Sequence, residues 1–121
     1  MKRDTSFWQT MTDLASANPI LLDRPKGTAH PRYPDLIYPL DYGYLENTFA
    51  GDGGDIDVWI GSGNKKTLTG ILCTFDKLKR DAEIKLLVAC TSEDVQTIQD
   101  FNTEIQTLFI PNSTVEYDLS D

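Results

Sequence analysis

The chain has 121 residues, a formal net charge of −8 at pH 7, 40% hydrophobic residues and 25% charged residues. This length predicts a single globular domain over residues 1–121, because two hydrophobic cores would need a longer chain. The acidic charge argues against nonspecific nucleic-acid binding, in which Lys and Arg neutralise phosphates. No stretch approaches the ~18–20 apolar residues of a membrane span, and the N-terminal residues lack the apolar core of a secretory signal.

The first predicted element is an N-terminal helix within residues 1–18. Phe7, Trp8, Met11 and Leu14 fall on one face of such a helix, and the Asn-Pro pair that follows would end it. We interpret this helix as packing. A short buried strand over 20–22 comes next.

Residues 24–35 follow as a loop, because prolines interrupt any regular element there. The loop contains four of the chain's cation-forming residues, namely Arg24, Lys26, His30 and Arg32. It is either a solvated loop or an anion-binding arm, since Arg and Lys donate charge-assisted hydrogen bonds to phosphate oxygens. His30 is expected to form hydrogen bonds within the loop, because the chain has no second histidine for a zinc site.

Two short extended pieces, 36–38 and 42–45, precede a glycine-rich stretch, 51–57. Its glycines permit a tight loop that presents Asp52 on one side and Asp57 on the other. Carboxylates on such a loop suit Mg²⁺ or Mn²⁺. The alternative is a polar turn, because Asp and Gly are ordinary turn residues.

Strands are predicted at 56–60, 67–75 and 84–90. A clear turn at 61–64 predicts that the first two of these strands are neighbours. The connection 76–83 contains six charged residues, and Lys85 follows inside the last strand. This connection is either a solvated charge run or a place where carboxylates and cations meet a phosphate ligand.

The final predicted helix covers 92–109, with Ser92 as its N-cap and an apolar face that lies over the sheet. The residues of that face are Val95, Ile98, Phe101, Ile105 and Leu108. Residues 112–121 are expected to form a polar tail with an edge strand at 115–117. The chain is therefore predicted to be mainly β with flanking helices (α+β), a small partly closed barrel covered by the C-terminal helix.

The two cysteines, Cys73 and Cys90, lie far apart in apolar segments. This placement favours buried free thiols in a reducing compartment, with a strand-to-strand disulfide as the alternative. We therefore expect a cytoplasmic protein. Because so short a chain buries little surface, a homo-oligomer is a further alternative.

The segments Tyr38–Tyr44 and Asp52–Val58 resemble, in order and spacing, the signature of the family I soluble inorganic pyrophosphatases. Residues 23–27 and the acidic segment from 70 to 85 extend the similarity, most closely to a short, divergent subgroup. The resemblance implies an OB-like five-stranded barrel with an active site at its mouth. It also implies several Mg²⁺ ions and pyrophosphate as the substrate.

Site residues follow from the resemblance position by position. Asp52, Asp57 and Asp76 would bind metal, with Glu83 standing where the family has an aspartate. By the same comparison Tyr42 and Lys85 would contact phosphate and Tyr38 would line the site. Two further substrate-binding candidates, Lys26 and Arg32, come from the basic loop, where Arg32 would substitute for a ligand of the shortened family hairpin. Asp57 or Asp55 would orient the attacking water, which makes them the predicted catalytic residues.

One departure keeps other functions open. Gly54 stands where the family signature has its middle aspartate. A catalytically weakened module that binds metal and phosphate is therefore the main alternative to the enzyme. A second departure is the short loop 27–32 in place of a family hairpin, which would open the pocket, so a phosphohydrolase for another phosphoanhydride or ester is a further alternative. A purely structural barrel is the last.

Overall fold

A computed structural model of the chain describes residues 2–115, with the side chains described from residue 5 onward. Its elements are α1 (Lys2–Ala17), β1 (Ile20–Arg24), β2 (Asp41–Leu45), β3 (Ile56–Ile60), β4 (Leu68–Asp76), β5 (Asp81–Val88), α2 (Ser92–Phe101) and β6 (Gln106–Pro111). Neither helix of this range has the length and apolar character that crossing a membrane requires. Both cysteines are free thiols, as predicted.

The six strands form one mixed sheet in the order β1-β2-β3-β5-β4-β6. Neighbouring strands are antiparallel except β3 and β5, which run parallel. The predicted α+β class, mainly β with an N-terminal and a C-terminal helix, is confirmed. The strand arrangement is compatible with an OB-like fold, although the sheet has six strands where five were expected.

The sixth strand replaces the second half of the predicted C-terminal helix, so the prediction of a helix over 92–109 was wrong. The helix ends at Phe101, where Asn102 donates from its backbone and its side chain to carbonyls of the last turn. Residues 106–111 then pair with β4, as their β-branched and aromatic side chains favour. Thr91, rather than Ser92, is the N-cap of α2. Residues 112–115 form no strand, and 116–121 lie outside the described range.

The predicted pairing of the strands at 56–60 and 67–75 was also wrong. The backbone N–H groups of Gly61 and Gly63 donate to the carbonyls of Val88 and Ala89 at the end of β5. The chain after β3 therefore follows the end of β5 instead of turning back on itself. As a result β5 lies between β3 and β4 and pairs with both.

Side-chain alternation gives the sheet two covered faces. One face contributes Tyr42, Trp59, Leu72 and Leu87 to a core with α2. The other face contributes residues such as Val58 and Leu86 to a core with Trp8 of α1. The sheet is thus a layer between the two helices.

A β-bulge in β1 decides which side chain faces α2. Leu22 pairs with Gly43, but the next pair is Arg24 with Tyr42, so Asp23 is an extra residue in the strand. Because paired residues share a face of the sheet, the bulge places Arg24 on the face of Tyr42.

Candidate functional site

A charged cleft of about 230 Å³ lies on the α2 side of the sheet. Its floor includes Tyr38, Tyr42 and Trp59, which belong to the core beneath it. The charged residues of its lining are Arg24, Lys79, Lys85, Asp76, Asp81 and Glu83. Both signs of charge therefore meet in one small volume of a protein that is acidic overall.

Lys85, Asp57 and Tyr42 form a closed triangle of hydrogen bonds. The Lys85 ammonium donates to the Tyr42 hydroxyl at 2.7 Å and to Asp57 Oδ2 at 3.1 Å, and the Tyr42 hydroxyl donates to Asp57 Oδ2 at 2.7 Å. Burial, followed by the negative charge of Asp57, raises the pKa of Tyr42 well above its usual range. Tyr42 is therefore a neutral donor that fixes the carboxylate, and the cation is held beside the cleft.

Arg24 is held at the cleft by Tyr38. Its Nη1 donates to the Tyr38 hydroxyl at 2.6 Å, and the guanidinium lies 5.6 Å from the centroid of the Tyr38 ring. Burial acts to lower the pKa of Arg24, but the hydrogen bond to Tyr38 and the charge of Asp23 outweigh it, so the pKa is raised. Arg24 therefore presents a permanent positive charge.

The acidic side of the cleft comes from β4, β5 and the turn between them. Asp76 lies opposite Asp81 and Thr74 lies opposite Glu83, and alternation puts all four on the face that also carries Lys85. Asp76 Oδ1 accepts from the backbone N–H groups of residues 78 and 79, which closes the turn. Four of the six charged residues of the connection 76–83 thus line the cleft.

The neighbourhood of Tyr38 also includes His30. The two rings stack with centroids 6.0 Å apart. Burial and the positive charges of Arg24, Arg32 and Lys79 lower the pKa of His30. His30 is therefore neutral near pH 7, and its Nδ1 accepts from the backbone N–H of Arg32, which agrees with the predicted hydrogen-bonding role in the loop.

The structure brings together most of the residues that the sequence singled out. Tyr38, Tyr42, Asp76, Glu83 and Lys85 all line the cleft. Asp57 adjoins the cleft through its bonds to Tyr42 and Lys85.

The remaining predicted residues lie outside the lining of the cleft. Asp52 Oδ1 accepts from the backbone N–H of Gly54 and closes its own loop, and Asp55 is exposed in the same loop. Lys26 is exposed and contributes a backbone hydrogen bond to Asp41, while Arg32 is exposed on its loop. The glycine-rich stretch forms a turn in this structure.

Of the four predicted metal ligands, Asp76 and Glu83 line the cleft, whereas Asp52 and Asp57 are not in its lining. Within residues 2–115, no three His, Cys, Asp or Glu side chains converge as a metal site would require. Asp57, predicted as a ligand, directs Oδ2 at Lys85 and Tyr42 instead.

The pyrophosphatase resemblance assigned no role to Arg24, Asp81 or Trp59, although Arg24 belonged to the candidate anion-binding arm and Asp81 to the charged connection. Trp59 could have been found, because it lies two residues after Asp57 in a strand and so shares its face. Its indole nitrogen Nε1 is buried and has no hydrogen-bond partner among the described residues. A buried donor of this kind is rare in folded proteins and calls for an acceptor in a ligand or a water.

The fold and the site define an α+β protein with a cleft lined by both cations and carboxylates. No protein-family model matches the chain. The chain is similar to a curated inorganic pyrophosphatase from Leifsonia xyli subsp. xyli (strain CTCB07), with 36% identity over 93 residues. The match covers 69% of this chain and 52% of that protein, so the chain spans about half the length of the relative.

Proposed function

We propose that this chain hydrolyses inorganic pyrophosphate to two phosphates, with magnesium pyrophosphate as the substrate. The observation that carries the proposal is the triangle of Lys85, Asp57 and Tyr42 at the cleft. These three residues lie in the segments that resemble the family I pyrophosphatases. The similarity to the Leifsonia pyrophosphatase supports the same activity.

The charges of the cleft favour a phosphate compound that arrives with a cation. Lys85 and Arg24 can donate to phosphate oxygens, but Asp76, Asp81 and Glu83 in the same lining would repel a bare polyanion. A divalent cation carried by the substrate, Mg²⁺ or Mn²⁺, bridges phosphate oxygens to carboxylates and neutralises charge. This role needs no resident metal site.

The chemistry requires a water, a base and stabilisation of the leaving group. The water oxygen forms a new bond to one phosphorus, the bridging P–O bond breaks, and the leaving phosphate takes its electron pair. Asp57 Oδ2 is engaged by Tyr42 and Lys85, which leaves Oδ1 to accept a proton from the water. Lys85 stabilises negative charge on the phosphate oxygens, and Tyr42 keeps Asp57 in place because its own proton is retained.

The test is phosphate release from magnesium pyrophosphate by the purified protein, measured beside ATP and a generic phosphate ester. Asp57→Asn should lower kcat by about 10²-fold or more, the size of effect seen when one electrostatic group is removed. Asp100→Asn, an exposed carboxylate change on α2, is the matched control and should keep wild-type turnover. Asp55→Asn tests the second predicted catalytic carboxylate.

Near-unchanged turnover in Asp57→Asn would reject Asp57 as the base. A large loss in Asp55→Asn alone would move that role to Asp55. Faster release from ATP or from the ester than from pyrophosphate would favour a phosphohydrolase with another substrate.

The second candidate is a catalytically weakened module that binds metal and phosphate. It is favoured by the Gly54 departure together with the arrangement of Asp52, whose carboxylate closes its own loop outside the cleft. The same assay decides between the two. Absent phosphate release with intact Mg²⁺-dependent pyrophosphate binding, measured by calorimetry, would establish the module instead of the enzyme.

A further inference from the structure

We infer that Arg24 is a second phosphate-binding residue of the cleft, which with Lys85 makes the site selective for two linked phosphoryl groups over one. The inference rests on the proposed function and deepens it. It assigns a role to a residue that the pyrophosphatase resemblance does not assign.

The contacts of Arg24 leave it able to bind a ligand. A guanidinium has five N–H donors in a planar fork. Among the described residues, Nη1 donates to Tyr38 at 2.6 Å and Nε lies 3.6 Å from Asp23 Oδ2. The ion pair is weak, because the Asp23 side chain is 52% exposed and surface pairs of this kind contribute little. Arg24 therefore has both free donors and largely uncompensated charge.

Two of the three cations that line the cleft are held in the same way. Arg24 is fixed by the hydroxyl of Tyr38, and Lys85 is fixed by the hydroxyl of Tyr42. The two tyrosine rings lie 5.5 Å apart, centroid to centroid. Two cations held on adjacent, buried tyrosines form a rigid pair, and such preorganisation is what binding of a small polyanion requires.

The other arginine of the same loop is a weaker candidate. Arg32 was the predicted phosphate ligand, but it is exposed and lies outside the lining of the cleft. Arg24 is the arginine of the described residues that lines the cleft. The bulge in β1 accounts for this placement, because it turns Arg24 toward the face of Tyr42.

Trp59 packs against both tyrosines at the floor of the cleft. Its ring centroid lies 5.7 Å from that of Tyr38 and 4.6 Å from that of Tyr42, so Trp59 contacts both tyrosines that hold the cations. Its buried indole N–H has no acceptor within residues 2–115.

The experiment compares two ligands by isothermal titration calorimetry in Mg²⁺ buffer, with orthophosphate as the single phosphate and methylenediphosphonate as the uncleaved diphosphate analogue. Arg24→Gln should weaken methylenediphosphonate binding about 10–100-fold, as expected for the loss of a charge-assisted, bidentate hydrogen bond. Its orthophosphate affinity should change less than about 3-fold, because Lys85 remains. Lys65→Gln removes one exposed charge elsewhere and should change neither affinity.

Arg24→Lys is the second variant, and it keeps the charge while removing the planar fork. It should weaken methylenediphosphonate binding by about 3–10-fold with orthophosphate unchanged, since lysine does not reproduce the two-pronged contact. If circular dichroism shows that Arg24→Gln is unfolded, the affinities of Arg24→Lys test the role of Arg24 instead.

The outcomes separate this inference from the proposed function. Wild-type affinity for methylenediphosphonate in both Arg24 variants, or an equal loss for both ligands, would overturn the inference. The same holds if Arg32→Gln, and not Arg24→Gln, loses the analogue. Failure of the wild-type protein to bind either ligand would instead overturn the proposed function.

Discussion

Replacing Asp57 should destabilise the fold more than replacing Lys85, although the two side chains form one ion pair. The Lys85 side chain is 12% exposed and the Asp57 side chain is 31% exposed. Asp57→Asn keeps an acceptor for Tyr42 but leaves the ammonium buried without its counter-charge. We expect this change to lower the free energy of unfolding by about 2 kcal/mol, below the 3–5 kcal/mol typical of a fully buried pair.

Lys85→Met should cost less, about 1 kcal/mol, because Asp57 keeps the Tyr42 hydrogen bond and can be hydrated. The assay is urea unfolding of the wild type, both single variants and the double variant, followed by circular dichroism. The double-mutant cycle should give a coupling energy of about 1–2 kcal/mol. A coupling energy near zero, or a Lys85→Met variant less stable than Asp57→Asn, would refute the reasoning.

Three further predictions concern the framework of the fold. Asp94→Ala should lower stability by about 2 kcal/mol at pH 7, because the carboxylate completes the capping box of α2. Its hydrogen bonds hold the pKa of Asp94 below the usual value despite burial, so in urea titrations the deficit should vanish as the pH falls through that lowered pKa. Gly43→Ala should abolish or severely reduce folding, since an added Cβ would collide with a backbone carbonyl of β1. At Gly51 an added Cβ meets open space, so the stability of Gly51→Ala in thermal melts should stay within about 0.5 kcal/mol of the wild type. Burial raises the pKa of the Cys90 thiol to about 12. Maleimide at pH 8 should therefore label the partly exposed Cys73 first and Cys90 only in urea, as measured by peptide mass analysis. Equal labelling of both cysteines in the folded protein would contradict this prediction.

Part of the site was predictable because short segments determine it. Tyr42 and Lys85 came from positions in a motif, and strand alternation then places Trp59 with Asp57 on one face. Arg24 could not be found in this way, because its orientation depends on a bulge whose extra residue only the pairing with β2 reveals. Local sequence therefore supplied the candidates, while non-local pairing decided which of them face the cleft.

The errors in the fold also have a common physical origin. Residues 105–110 contain four apolar side chains whose spacing fits a helix extension as well as a strand buried on one face. The pairing with β4 leaves Leu108 60% exposed on the side of α1, while Phe109 packs against the core under α2. The neighbours of β3 could not be predicted either, because its parallel contact with β5 joins segments far apart in the chain.

The bulge in β1 means that backbone register, rather than residue identity, sets the sign of the charge opposite Tyr42. Without the extra residue, the position paired with Tyr42 would belong to Asp23, and an anion would stand where the guanidinium now lies. Two homologues could therefore carry the same Asp-Arg pair, aligned column for column, and still prefer ligands of opposite charge. In such a family, an insertion or deletion in the edge strand would change which ligand binds. A comparison of aligned residues alone would not reveal that change.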